Sequence, residues 1–247
     1  MNKNRVLDFA ILILVYVAIC AIPFNLMIKN IPILEYSLKI FVQIAYLVFA
    51  HIYIHRQGIQ KGKKSFEYKA FLLLIPAFVI CFSNYFSTLF FASIFDNRIT
   101  NLLIFDIILT LVICLNEELL FRCLLITHLE LSNIAKIFIS AAIFGLVHIT
   151  HFLSSFNPAD LLVVVYTFGL GLVLGVFFVY VKCIYVCLGF HFLFNLLNDI
   201  LFSKLFLIKN FTIYYIVNIS VGVVIGIYIL LTYFMFFRSS KEEIEDQ

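Results

Sequence analysis

Charge is what this chain has least of. Only 13% of its 247 residues are Asp, Glu, Lys or Arg, about half the usual share for a soluble domain, while 64% are hydrophobic. One soluble core cannot hide that much apolar surface, but a lipid bilayer can solvate what remains. The shortage therefore excludes a cytosolic enzyme with a two-layer core and a disordered chain. The formal net charge of +3 is too small for a nucleic-acid binder. Cysteine is present six times, as Cys20, Cys81, Cys114, Cys123, Cys183 and Cys187, without a Cys-x-x-Cys pair or zinc-knuckle spacing. That excludes a disulfide-stapled secreted module and makes the thiols small buried hydrophobes. The first apolar run, from Leu7 to Ile28, lacks a small-x-small cleavage site and exceeds the 7–15 residues of a signal h-region, so it is expected to be retained. No lipid anchor is implied, because bulky Ile19 precedes Cys20. There is no low-complexity tract, soluble linker or internal repeat of the transporter kind.

What is present is a series of apolar runs. Eight stretches reach the length of about 20 residues that a span needs: 7–28, 33–54, 70–95, 102–127, 134–153, 161–181, 183–203 and 211–237. They are long, continuous and apolar on all sides, unlike the short alternating segments of barrel strands. The expected fold class is all-α, a polytopic integral membrane bundle of about eight transmembrane helices. Pro23 and Pro76 are expected as kinks. The chain reads as one transmembrane domain over 1–247, with motif-bearing helices over 102–203 and a charged tail over 238–247.

Orientation follows from the basic residues, which stay on the cytoplasmic side. The richest loop runs from Arg56 to Lys69. Placing it inside also places Lys3, Arg5, Lys136, Lys182, Arg238 and Lys241 inside, and leaves Lys29, Arg98, Lys204 and Lys209 outside. Both termini are then cytoplasmic, in a multi-pass protein of the cell membrane.

The few charges inside these runs stand out, because a lone charge at mid-span costs roughly 2.5–3.5 kcal/mol on insertion scales. The fourth segment carries Asn116-Glu117-Glu118-Leu119-Leu120-Phe121-Arg122. Glu118 and Arg122 are one turn apart and can pair. Glu117 points about 100° away and is left to face something else. The fifth segment carries Phe144 and His148, and the seventh carries His191 and Asn195, again one turn apart. Taken singly, each fits a helix–helix hydrogen bond as well as it fits chemistry. At 1.5 Å per residue, Glu117 lies roughly 13 Å from the cytoplasmic end, His191 about 10 Å, Asn195 about 16 Å and His148 about 21 Å. That scatter of two turns is within what helix tilt absorbs.

Glu-Glu-x-x-x-Arg, Phe-x-x-x-His and His-x-x-x-Asn, in that order on successive segments, resemble the CAAX-protease and bacteriocin-processing (CPBP, or Abi) family of intramembrane endopeptidases. All three motifs are complete here, as Glu117-Glu118 with Arg122, Phe144 with His148, and His191 with Asn195. The resemblance covers about Leu102 to Leu201. It implies that Glu117 and His148 activate water, that His191 and Asn195 line the oxyanion side, and that Glu118 with Arg122 holds the motif helix. Peptide hydrolysis needs such a base and such donors. A catalytic zinc on Glu117, His148 and His191 stays open. Against it stand the absence of His-Glu-x-x-His and of an evident carboxylate beside either histidine.

Of the remaining polar residues, Asp106 and Asn84 are expected to be structural, and His128 and His151 interfacial. Asp199, one turn after Asn195, could orient that amide. Gly169, Gly171 and Gly175 suggest close helix approach in the sixth segment. The expected partners are a peptide or membrane-protein substrate and the lipid bilayer, with no nucleic acid. The usage, rich in isoleucine, phenylalanine, asparagine and lysine and without tryptophan, fits an AT-rich bacterial genome. In that setting the resemblance implies leader-peptide processing or bacteriocin self-immunity rather than a prenylated CAAX substrate. Two other classes stay open: a non-catalytic scaffold or immunity protein binding a peptide in the same pocket, and an ion-coupled transporter.

Overall fold

A computed structural model describes residues 3–28, 31–56, 92–95, 102–156, 158, 161–197, 200, 206–208, 216 and 220. The third and eighth expected spans fall almost wholly outside them, as do the charged tail, Cys81, Asn84, Asn198 and Asp199.

The first expected span is shorter than its apolar run. Helix α1 (Lys3–Cys20) stops ahead of Pro23, and a four-residue helix, α2 (Phe24–Met27), follows. Proline lacks the N–H that would continue the ladder, and it pushes the preceding residue out of the helical region. Pro23 thus ends a helix where a kink was expected. Helix α3 (Pro32–Arg56) begins on Pro32, where the missing N–H costs nothing, and runs unbroken for 25 residues.

Helices α1 and α3 run antiparallel and are tied by side chains. The Tyr46 hydroxyl donates to the Leu12 carbonyl at 3.0 Å, and the Tyr53 hydroxyl to Asp8 Oδ2 at 2.8 Å. Asp8 and Leu12 are one turn apart on α1, so the two ties fix its register along α3.

The fourth segment begins as α4 (Leu103–Glu118) and continues as π-helix over Leu119–Ile126, every residue of which is buried. Such wider turns are rare overall and are frequent at functional sites. The fifth segment, expected whole over 134–153, is cut at His148 into α5 (Asn133–Val147) and α6 (Ile149–Ser155). Ser132 caps α5 by accepting the Ala135 N–H at 3.4 Å. At the break, the His148 imidazole Nδ1 lies 2.8 Å from the Phe144 carbonyl, which the His148 backbone N–H would otherwise reach. That N–H turns to Gly145 instead, at 3.0 Å. The side chain competes with its own backbone, and the helix ends there.

The sixth and seventh segments form α7 (Leu161–Val176), continued as π-helix over Phe177–Val181, and α8 (Ile184–Asn195). Lys182, in the left-handed region at φ 54°, turns the chain between them. Helices α5 and α7 meet through glycine. A Cβ on Gly171 would sit 2.9 Å from Ala141 Cα, and one on Gly175 would sit 3.1 Å from Ile137 Cγ2. Gly169, expected in this contact, has nothing within 4 Å of its Cβ position among the described residues. A Gly171→Leu substitution should therefore force α5 off α7, costing about 1–3 kcal/mol. Thermal unfolding of the purified variant in detergent measures the loss.

Among the described residues, a short two-stranded ladder accompanies the helices. Strand β1 (Ala92–Phe95) pairs antiparallel with β2 (Phe206–Ile208) through an irregular register, Ala92 opposite Ile208 and Phe95 opposite Phe206. The end of the third expected span is thus extended, where helix was expected. Its backbone groups are satisfied by a partner strand rather than by their own turn.

Among the described residues, α3 and the stretch Leu161–Tyr180 are long and apolar enough to cross a membrane. The motif helix is of comparable length but carries Asp106, Glu117, Glu118 and Arg122. Large hydrophobic side chains are exposed on helix after helix, including Leu14, Phe41, Ile104, Phe138, Leu146 and Tyr185. Four cysteines, Cys114, Cys123, Cys183 and Cys187, are buried free thiols, whereas Cys20 is exposed.

Candidate active site

Two adjacent carboxylates on α4 point to different partners. Glu118 is wholly buried and takes the cation: Arg122 Nε–H donates to its Oε2 at 3.2 Å, with both side chains no more than 1% exposed. The one-turn spacing predicted this pair, and the π-turn that begins at Leu119 does not break it. Arg122 also donates from Nη1 to Ser140 Oγ on α5 at 2.8 Å, and Ser140 in turn donates to the Phe121 carbonyl at 3.2 Å.

Glu117 has no part in that ion pair. Its Oε1 accepts from the Tyr16 hydroxyl on α1 at 2.8 Å, and its Oε2 lies 3.6 Å from His191 Nε2 on α8. His191 stands between the two carboxylates, because its Nδ1 lies 2.9 Å from Glu118 Oε1. An ionised carboxylate only accepts, so Nδ1 carries the hydrogen and Nε2 is the nitrogen turned to Glu117. Sequence reasoning saw no carboxylate beside either histidine. Glu118 is one, contributed by a helix distant in the chain.

Asn195, one turn beyond His191, donates from Nδ2 to Cys114 Sγ at 3.5 Å. Cys114 lies one turn before Glu117 on the same face of α4. The pairs His191 with Glu118 and Asn195 with Cys114 show that α8 crosses α4 antiparallel, so one face of α8 reads one face of the motif helix.

His148 joins through Phe144. That fully buried ring meets His148 edge-on at 4.9 Å between centroids, His191 at 5.8 Å and Phe121 at 5.1 Å. The Arg122 guanidinium lies 5.1 Å from the same ring. Phe144 is the hub on which all three motifs pack. Because a carbonyl oxygen only accepts, the bond to Phe144 also puts a hydrogen on His148 Nδ1.

The structure therefore gathers Glu117, Glu118, Arg122, His191 and, through Cys114, Asn195, with His148 one ring away. His191, rather than His148, directly adjoins Glu117. His128 packs locally, with Nδ1 2.7 Å from the Leu124 carbonyl, outside this cluster. Tyr16 and Ser140 went unread in the sequence. Ser140 lies two turns before His148 and was discoverable as its helix neighbour, but nothing distinguishes Tyr16 among thirteen tyrosines.

For a metal, the donor set Glu117, His148 and His191 is chemically apt. Among the described residues, however, no three His, Cys, Asp or Glu side chains are arranged to hold an ion.

A family model described as Rce1-like, type II CAAX prenyl endopeptidase, matches residues 99–197. Searches among curated proteins and among solved structures find no match. The matched stretch runs from just before α4 to the end of α8 and contains every motif residue from Glu117 to Asn195. Over residues 99–197 the chain is thus similar to the Rce1-like family, which is consistent with the resemblance of its motifs to the CAAX-protease and bacteriocin-processing family.

Proposed function

We propose that the protein is an intramembrane endopeptidase that cuts a peptide or membrane-protein substrate with water activated by Glu117. The observation that carries this reading is the division of labour between the two carboxylates. Glu118 neutralises Arg122, while buried Glu117 stays outside the pair and faces an imidazole 3.6 Å away. A gap of that length exceeds a direct hydrogen bond, and a water about 2.8 Å from each group would bridge them. Glu117 takes a proton from that water, and the resulting hydroxide adds to the scissile carbonyl carbon. Asn195 donates to the oxyanion, with His191 lining the same side, and the proton then passes to the leaving amine as the C–N bond breaks. His148, one ring away across Phe144, supports the proton transfer to and from Glu117.

In this reading the exposed apolar side chains of the helices face lipid, the chain is a multi-pass protein of the cell membrane, and the cut falls within the bilayer. Eight spans with both termini cytoplasmic remain the topology we propose. For a bacterial chain, the substrate class is a leader peptide or another membrane protein. Bacteriocin self-immunity is the physiological setting that fits such processing.

The test is co-expression with candidate leader peptides from the same genome, read by mass spectrometry. A product that disappears with His148→Ala while the protein still accumulates supports the reading. A phenotype that persists without cleavage points to the non-catalytic scaffold. No step above passes through a metal, so 1,10-phenanthroline should leave the cleavage rate unchanged. Stoichiometric zinc whose removal reversibly stops cleavage would instead assign Glu117, His148 and His191 as its ligands.

A further inference from the structure

The residue that holds the proposed base comes from outside the family-matched stretch. Tyr16, on α1, is 1% exposed, and its hydroxyl donates to Glu117 Oε1 at 2.8 Å across 101 residues of chain. Helix α1 is held at that height by the Tyr46 hydroxyl on the Leu12 carbonyl, one turn from Tyr16, whereas the Tyr53–Asp8 tie lies two turns away towards the start of α1. The Tyr46 ring also packs on the Tyr16 ring, with centroids 5.4 Å apart. Register, ring packing and hydrogen bond agree, so the contact is built into the fold.

We infer that Tyr16 is a positioning residue for Glu117, and that α1 is therefore a working part of the site rather than a passive span. This rests on the proposed hydrolytic role of Glu117. A carboxylate held at Oε1 by a buried donor cannot rotate freely, so Oε2 stays turned to His191 Nε2 and to the bridging water. The phenol also stabilises charge that bulk water does not reach. Alignment of a base acts on the chemical step more than on substrate binding.

The test uses the full chain in detergent or nanodiscs, a quenched-fluorescent peptide cut by the wild type, and the Tyr16→Phe and Tyr53→Phe variants. Each variant removes a phenol hydroxyl from α1 or α3, but only the first touches Glu117. Tyr16→Phe should lower kcat by roughly 10-fold to 100-fold with KM unchanged, the size of a hydrogen bond to a charged group. Tyr53→Phe should change neither. Infrared difference spectra against Glu117→Gln identify the Glu117 carboxyl band, which should shift in Tyr16→Phe and stay put in Tyr53→Phe. An unmoved band, or a kcat equal to that of Tyr53→Phe, overturns the assignment. If the wild type cleaves no peptide while the band shifts, the hold of Tyr16 on Glu117 stands and the protease reading falls.

Discussion

Replacing Glu117 by glutamine should stop cleavage while leaving the protein folded. Loss of a general base removes about 10²-fold to 10⁴-fold of rate, so product in a mass-spectrometric assay should fall to the background of an empty membrane. Stability should change little. Glutamine has the same shape, its carbonyl oxygen can still accept from Tyr16, and burying a neutral amide costs less than burying a carboxylate. Thermal unfolding close to wild type, together with lost product, is the expected pair of results. The neighbouring Glu118→Gln provides the contrast: it removes the countercharge of Arg122, so its first effect should be on accumulation. If Glu117→Gln kept full cleavage, the base would lie elsewhere.

The two carboxylates could be told apart in the sequence because helix geometry alone gives Glu118 the cation and turns Glu117 away. The same one-turn spacing showed that His191 and Asn195 share a face, and in the structure that face meets Glu118 and Cys114. Depth estimates taken from loop positions put Glu117 and His191 close and His148 farthest away. The structure has Glu117 beside His191 and brings in His148 through the Phe144 ring. Local competition was harder to read. Nothing in the apolar run 134–153 shows that the His148 imidazole will take the Phe144 carbonyl and break the helix, because that bond depends on a rotamer. Pro23 was visible, but whether a proline kinks or ends a helix depends on what packs against the next turn. Tyr16 was the least legible, since its role exists only once α1 is docked on α3 and α4, and no local pattern encodes that docking. The pairing of β1 with β2 is equally non-local, joining segments more than a hundred residues apart.

Arg122→Ala should be the most destabilising single change at the site. The guanidinium is wholly buried, and three kinds of contact converge on it: the Glu118 carboxylate, Ser140 Oγ and the face of Phe144. Its Nη2 has no hydrogen-bond partner among the described residues, so the remaining contacts carry the whole desolvation cost. Removing one member of a buried pair leaves an uncompensated charge and costs about 3–5 kcal/mol. Here it also removes the link from α4 to α5, so the variant should melt at lower temperature and fail to accumulate. Arg122→Lys should rescue little. A single ammonium cannot reach Glu118 and Ser140 in the same geometry while stacking on Phe144. Neutralising both partners, with Glu118→Gln and Arg122→Met together, removes the buried charge and should recover much of the lost stability. The amide introduced in place of the Glu118 carboxylate would keep an oxygen for His191 Nδ1, so the imidazole next to Glu117 would still be oriented. If the single and double variants were equally unstable, the role of Arg122 would lie in its packing volume and its link to Ser140. Recovery in the double variant would show instead that α4 tolerates Arg122 because Glu118 is there to neutralise it, which is what leaves Glu117 outside the ion pair.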